Sequence, residues 1–107
     1  MNFEISASEN FAKGLKRLSK KYPSIKEDML QLAESLFKNP FQGTPLGKDC
    51  FKIRLSIKSK GKGKSGGARV ISCIFSMKKT VVLLSIYDKS EKDNIESKEL
   101  EELIKNI

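Results

Sequence analysis

Apolar residues recur along this chain at two periods, and the change from one to the other divides it. Near the start, Phe3 and Ile5 alternate with polar neighbours and predict a short strand. Ser8 can cap a helix, and Glu9 suits its first turn. Phe11, Leu15, Leu18 and Tyr22 follow at spacings of 4, 3 and 4, one face of a helix whose other positions carry Lys13, Lys16, Arg17, Lys20 and Lys21. Pro23 interrupts the pattern. Ser24 and Glu27 then have the spacing of a capping box for a second helix, with Ile25, Met29, Leu32, Leu36 and Phe37 as its apolar stripe. Asn39-Pro40 ends that helix, because proline disfavours helical geometry in the residue before it. The two segments predict a helical hairpin.

After a loop over residues 41–49 the period becomes two. Phe51, Ile53, Leu55 and Ile57 alternate with Lys52, Arg54, Ser56 and Lys58, which predicts a strand with one apolar and one basic face. Residues 58–67 read KSKGKGKSGG, a flexible basic loop. Strands are expected over 68–77 and 80–88, the latter apolar on both faces and therefore central. Short connections make these strands antiparallel. A polar stretch from Ser90 gives way to Leu100, Leu103 and Ile104 at helical spacing, with Ser97 as the expected cap. The expected architecture is α+β: a small, mostly antiparallel sheet of about four strands, helices on one face, a short C-terminal helix, and one domain over residues 1–107. The basic strand face is expected to be exposed.

Composition narrows the chemistry. The chain has 107 residues, 21 lysines and arginines against 13 acids, a formal charge of +8, and no histidine or tryptophan. Without histidine, Ser-His-Asp and Cys-His catalysis and most zinc and haem sites are excluded. The length excludes an enzyme with a separate cofactor domain. The charge suits nucleic acid, an acidic membrane surface or an acidic protein. Cys50 and Cys73 form no CxxC and fall in predicted strands, so two buried free thiols in a reducing compartment are expected. No basic-then-apolar leader begins the chain, and no apolar run approaches the roughly 20 residues of a membrane span, so a cytoplasmic protein without a membrane partner is expected.

Two constellations could carry chemistry. Gly63-Lys64-Ser65 resembles the end of a P-loop, but Lys58 stands where the first glycine is required, and a strand rather than a helix follows. The functional reading of the loop is an arm whose Lys58, Lys60, Lys62 and Lys64 lie along a phosphate backbone. The second constellation is Lys52 and Arg54 on one strand face, with Arg69 opening the next strand and Lys89 ending the third beside Tyr87. Asp88, Glu91 and Asp93 have no metal-ligand spacing, and surface or capping roles are expected for them.

The stretches LKRLSKKYPSIKED, PFQGTPLGKDCFKIRL, SKGKGKSGGARVI and VVLLSIYDKSEKDNI, in this order and spacing, resemble the RelE/ParE superfamily of bacterial type II toxins, nearest its RelE and HigB-like branches. The resemblance spans almost the whole chain. It implies a RelE-like, microbial ribonuclease-like fold and an mRNA interferase, an endoribonuclease that cuts messenger RNA in the ribosomal A site without metal or cofactor. It implies a cognate antitoxin, the ribosome and mRNA as partners. Lys52 and Arg54 match the strand that supplies two basic catalytic residues. Arg69 matches the phosphate-stabilising arginine, and Lys89 a further basic residue. The loop 58–67 is longer than in the best-known relatives. The family's late tyrosine has no match, Ile95 standing at about that position, with Tyr87 nearby as a candidate RNA contact.

The implied chemistry needs no histidine. The ribose 2′-OH attacks the adjacent phosphate and the 5′ oxygen leaves, with arginines stabilising the developing charge. Lys52 is the candidate base. The acid is Lys89 or Arg69. Two other readings stand beside this one: a ParE-like inhibitor of DNA gyrase, and a non-catalytic RNA-binding module.

Overall fold

A computed structural model describes residues 2–107. The elements run β1 (Glu4–Ala7), α1 (Glu9–Ser19), α2 (Ile25–Lys38), β2 (Thr44–Gly47), β3 (Cys50–Leu55), β4 (Ala68–Phe75), β5 (Thr80–Asp88) and α3 (Ser97–Lys105). The chain is thus α+β, with a five-stranded sheet in the order β1-β5-β4-β3-β2. β1 lies parallel to β5, and every other pairing is antiparallel.

The extra strand over the expected four is β2. It lay in a segment read as a loop, because Pro45 and two glycines hide its pattern. A proline is tolerated there because β2 is the sheet edge. Its hairpin to β3 turns through Lys48 and Asp49, both at positive φ (55° and 61°). Asp is among the residues that tolerate this conformation.

The hairpin α1–α2 covers one sheet face. Phe11 and Leu18 of α1 and Ile25, Met29 and Leu36 of α2 are buried against Ile53, Leu55, Val70, Ile74, Val81, Leu83 and Ile86. Gly14 lets α1 approach closely: a Cβ there would lie 2.9 Å from the Ile86 carbonyl oxygen. Ser8 caps α1 as expected, accepting from the Phe11 N–H at 3.1 Å. Its hydroxyl also donates to the Leu84 carbonyl. Leu84 is an extra residue in β5, since Ile71 pairs with Ser85 while Ser72 pairs with Leu83. This bulge shifts the alternation, which is one reason β5 reads as apolar on both faces.

Three local expectations change. Ser24 forms no capping box: its backbone is already helical, and its hydroxyl donates to Asp28 at 2.8 Å instead. Ser97 is the first residue of α3 rather than its cap. The helices are not all on one face. α3 seats Leu100 on the opposite side, against Cys50, Ile71, Cys73, Leu84 and Tyr87. A central sheet with apolar residues on both faces needs cover on both. Cys50 and Cys73 face each other across β3 and β4 as buried free thiols. No helix among the described residues is long and apolar enough to cross a membrane.

Candidate active site

Period two along β3 puts Lys52 and Arg54 on the sheet face away from α1 and α2. Strand register then does what spacing alone could not. Arg54 lies directly opposite Arg69, and Arg69 directly opposite Tyr87, so three strands contribute one row. Like charges directly across a ladder repel. The structure resolves this by giving the two arginines different surroundings. Arg54 is exposed, whereas Arg69 is only 2% exposed.

Every nitrogen of the buried Arg69 guanidinium is used. Nε donates to Asp93 Oδ1 at 3.0 Å, and the terminal nitrogens donate to the carbonyls of Lys64 (3.0 Å), Ala68 (3.1 Å) and Ser65 (3.4 Å). Lys52 Nζ donates to Asn94 Oδ1 at 2.7 Å and to the Asp93 carbonyl at 3.3 Å. The segment between β5 and α3 therefore lies over this face. The expectation of an open basic face holds at Arg54 and fails at Lys52 and Arg69. Asp93 is exposed at the surface, as expected, and also compensates the buried arginine, whereas Asp88, expected at the surface, is buried.

Tyr87 also departs from expectation. It is 4% exposed, its hydroxyl donates to the Asp93 carbonyl at 3.4 Å, and Lys92 Nζ sits 4.8 Å from its ring centroid. A nucleobase has no free ring face there. Burial raises the Tyr87 pKa above the usual value, and the Asp93 and Glu99 charges add to this. Ile95, at about the position of the family's late tyrosine, is half-buried against the α3-side cluster.

The loop is not uniformly solvated. Lys58, Lys62 and Lys64 are exposed. Lys60 instead reaches back to Asp88, Nζ to Oδ1 at 2.6 Å, with side chains only 11% and 1% exposed. The Tyr22 hydroxyl donates to the other oxygen of Asp88 at 2.5 Å. Burial alone pushes the Asp88 carboxyl up, but bonds from Lys60, Tyr22 and the Ser90 N–H outweigh it and hold it well below the usual carboxylate range. The sequence carried one signal of this cluster: an acid closing an otherwise apolar, central strand must be paired. Lys89 is exposed, and its N–H donates to the Gly67 carbonyl at 3.0 Å, two residues before Arg69.

An open groove of about 550 Å³ between α2 and β3 is lined by Lys52, Arg54, Lys58 and Lys64. The single acid in its lining is Asp28, whose carboxylate already accepts from Ser24 and from the Lys58 N–H. Such a groove suits an extended polyanion. Among the described residues, no group of three or more acids and thiols could hold a metal ion.

The fold and the chain match known proteins. Free Escherichia coli RelE, in a double arginine-to-alanine mutant, aligns over 100% of this chain and 99% of its own at 20% identity and a TM-score of 0.64. RelBE2 of Mycobacterium tuberculosis, a toxin–antitoxin complex, aligns over 82% and 99% at 19% identity and a TM-score of 0.62. The intact E. coli RelBE complex aligns over 80% and 95% at 18% identity, with the same TM-score of 0.62. At these identities the structures establish the fold. A sequence model for the RelE toxin of the RelE/RelB toxin–antitoxin system matches residues 8–106, nearly the entire chain. With the fold and the family pattern in agreement over that length, the chain belongs to the RelE family of toxins.

Proposed function

We propose that this toxin is an endoribonuclease that cuts messenger RNA on the ribosome and so stops translation. The observation that carries this reading is the cross-strand pairing of Arg54 with Arg69, with Lys52 on the same face and the basic groove leading away. An exposed guanidinium lining a groove for a polyanion, with a second directly across the ladder from it, suits a site where phosphate charge increases during reaction.

In the proposed reaction the 2′ oxygen bonds to phosphorus, its proton passes to Lys52, and the bond from phosphorus to the 5′ oxygen breaks. Lys89 returns a proton to that leaving oxygen, leaving a 2′,3′-cyclic phosphate. Lys89 is preferred to Arg69 as the acid because Arg69 is buried and its nitrogens are occupied. Lysine is mostly protonated at neutral pH and hence a weak base. Holding the 2′-OH in line with the leaving oxygen can offset this by several kcal/mol, a task suited to the ribosome. The proposed location is therefore the cytoplasm. DNA, lacking the 2′-OH, is not a substrate for this chemistry.

A cognate antitoxin is the proposed partner, since two of the matching structures are toxin–antitoxin complexes. The protein encoded beside this toxin should co-purify with it and restore growth. The function itself is tested by single-turnover cleavage on programmed ribosomes, reading for a cyclic phosphate end. Intact message together with inhibited gyrase would replace this reading by the ParE-like one.

A further inference from the structure

Asp93 and Asn94 occupy the donors that the proposed reaction requires. Asp93 takes the Nε of Arg69, and among the described residues the other acceptors on that guanidinium are backbone carbonyls. The place of the Asp93 carboxylate is thus the one an incoming oxyanion can take. A phosphate oxygen and a carboxylate oxygen accept the same charge-assisted bond. Asn94 does the same at Lys52 Nζ.

Resting on the RNA-cleaving reading, we propose that Asp93 is a tethered competitor for RNA phosphate, and that residues 91–96, beyond the anchored Lys89 and Ser90, form a strap which substrate must lift from Lys52 and Arg69. Three observations point the same way. The Asp93 side chain is 49% exposed and that of Arg69 is 3%, so the acid can move into water while the arginine stays. The strap's other ion pairs are Arg17–Glu91 at 3.3 Å and Lys92–Glu99 at 2.5 Å, both substantially exposed and therefore weak. The strap has no regular secondary structure, and its only apolar anchor is the half-buried Ile95.

The device discriminates by valence. A tethered carboxylate acts at an effective concentration on the order of millimolar, which one free phosphate does not readily exceed. An RNA backbone held along Lys58, Lys62 and Lys64 brings its next phosphate to Arg69 at a comparable effective concentration, and can displace the acid. The site then answers to aligned RNA and ignores loose anions.

The test uses the full chain and a short 2′-O-methyl oligoribonucleotide, which binds but lacks the attacking hydroxyl, with affinity read by fluorescence anisotropy at fixed salt. Asp93→Asn should bind about tenfold more tightly than wild type. Asn94→Ala, which frees Lys52 alone, should show a smaller gain and serves as the test if Asp93→Asn loses its fold. Inorganic phosphate should compete with the RNA more effectively in Asp93→Asn than in wild type. Equal or weaker RNA binding by folded Asp93→Asn removes the strap and leaves the ribonuclease reading standing. Absence of RNA binding by both proteins removes the strap, and the ribonuclease reading is then decided by cleavage on programmed ribosomes.

Discussion

Two carboxylates five positions apart, Asp88 and Asp93, each hold a basic side chain that arrives from the loop 58–67 or the strand after it. Asp88 grips Lys60 and is 1% exposed, whereas Asp93 grips Arg69 and is 49% exposed. The first pair also binds the Tyr22 hydroxyl and the Ser90 N–H, so the α1–α2 connection, the loop and the end of β5 meet at one buried point. The second pair lies on a half-open face. An ion pair with both members buried is hard to break, because either member left alone is an uncompensated charge. A pair with one wet member can exchange that member for an incoming anion, which keeps the buried charge compensated. The same chemistry therefore acts as a lock in one place and as a displaceable cover in the other.

The largest effect should come from breaking the lock. Asp88→Ala leaves Lys60 nearly buried without its partner and should cost about 3–5 kcal/mol, read as a fall in the denaturant midpoint. A loss below about 1 kcal/mol would show that the two clusters do not differ in kind.

On the other side, Arg69→Ala should slow single-turnover cleavage on ribosomes by about 10²–10³, the usual loss for one charge-stabilising donor. Arg69→Lys should recover only part of this, since one ammonium cannot replace the planar fork of donors. Melting curves separate this from unfolding, because Arg69 also ties down the Lys64, Ser65 and Ala68 carbonyls. Full activity in a folded Arg69→Ala protein would remove the site.

Acid sharpens the contrast. Asp88 is held below the ordinary carboxylate range in the folded protein. Its contribution is therefore complete above the unfolded value of about 3.9 and is lost as pH falls from there toward the lower folded value. Wild type should lose stability over that acidic window, and Asp88→Asn should lose less, being already weakened at neutral pH. Parallel pH profiles for the two proteins would count against the lock.

The smallest effects belong to the exposed charges. Lys62→Ala with Lys64→Ala should lower the salt slope of RNA binding by about 0.7 per lost phosphate contact. The fold should be unaffected, since both side chains are exposed. Asp93→Asn, which keeps an oxygen acceptor for Arg69 but removes the charge, should lower the melting free energy by less than Asp88→Ala does. A loss as large as that of Asp88→Ala would make the strap a second lock.

Much of this molecule could be read from the order of its residues. Helical period gave the stripes of α1 and α2, and period two set Phe51, Ile53 and Leu55 against Lys52 and Arg54, because these patterns follow from backbone geometry within one element. Ser8 was readable for the same reason: a cap is a bond across three residues. The family resemblance rested on four local stretches in order, and both family and fold bear it out. What spacing could not supply were contacts across long stretches of chain. Strand register set Arg54 against Arg69. The fold brought Tyr22 and Lys60 to Asp88, 66 and 28 residues away in sequence. It buried Tyr87 and laid Asp93 and Asn94 over the basic face. Composition and period determined which groups this chain could offer to a phosphate. Which of them are open, covered or locked was decided only in the tertiary structure, because the worth of a charge depends on its burial and its partners, and both are set by residues remote in sequence.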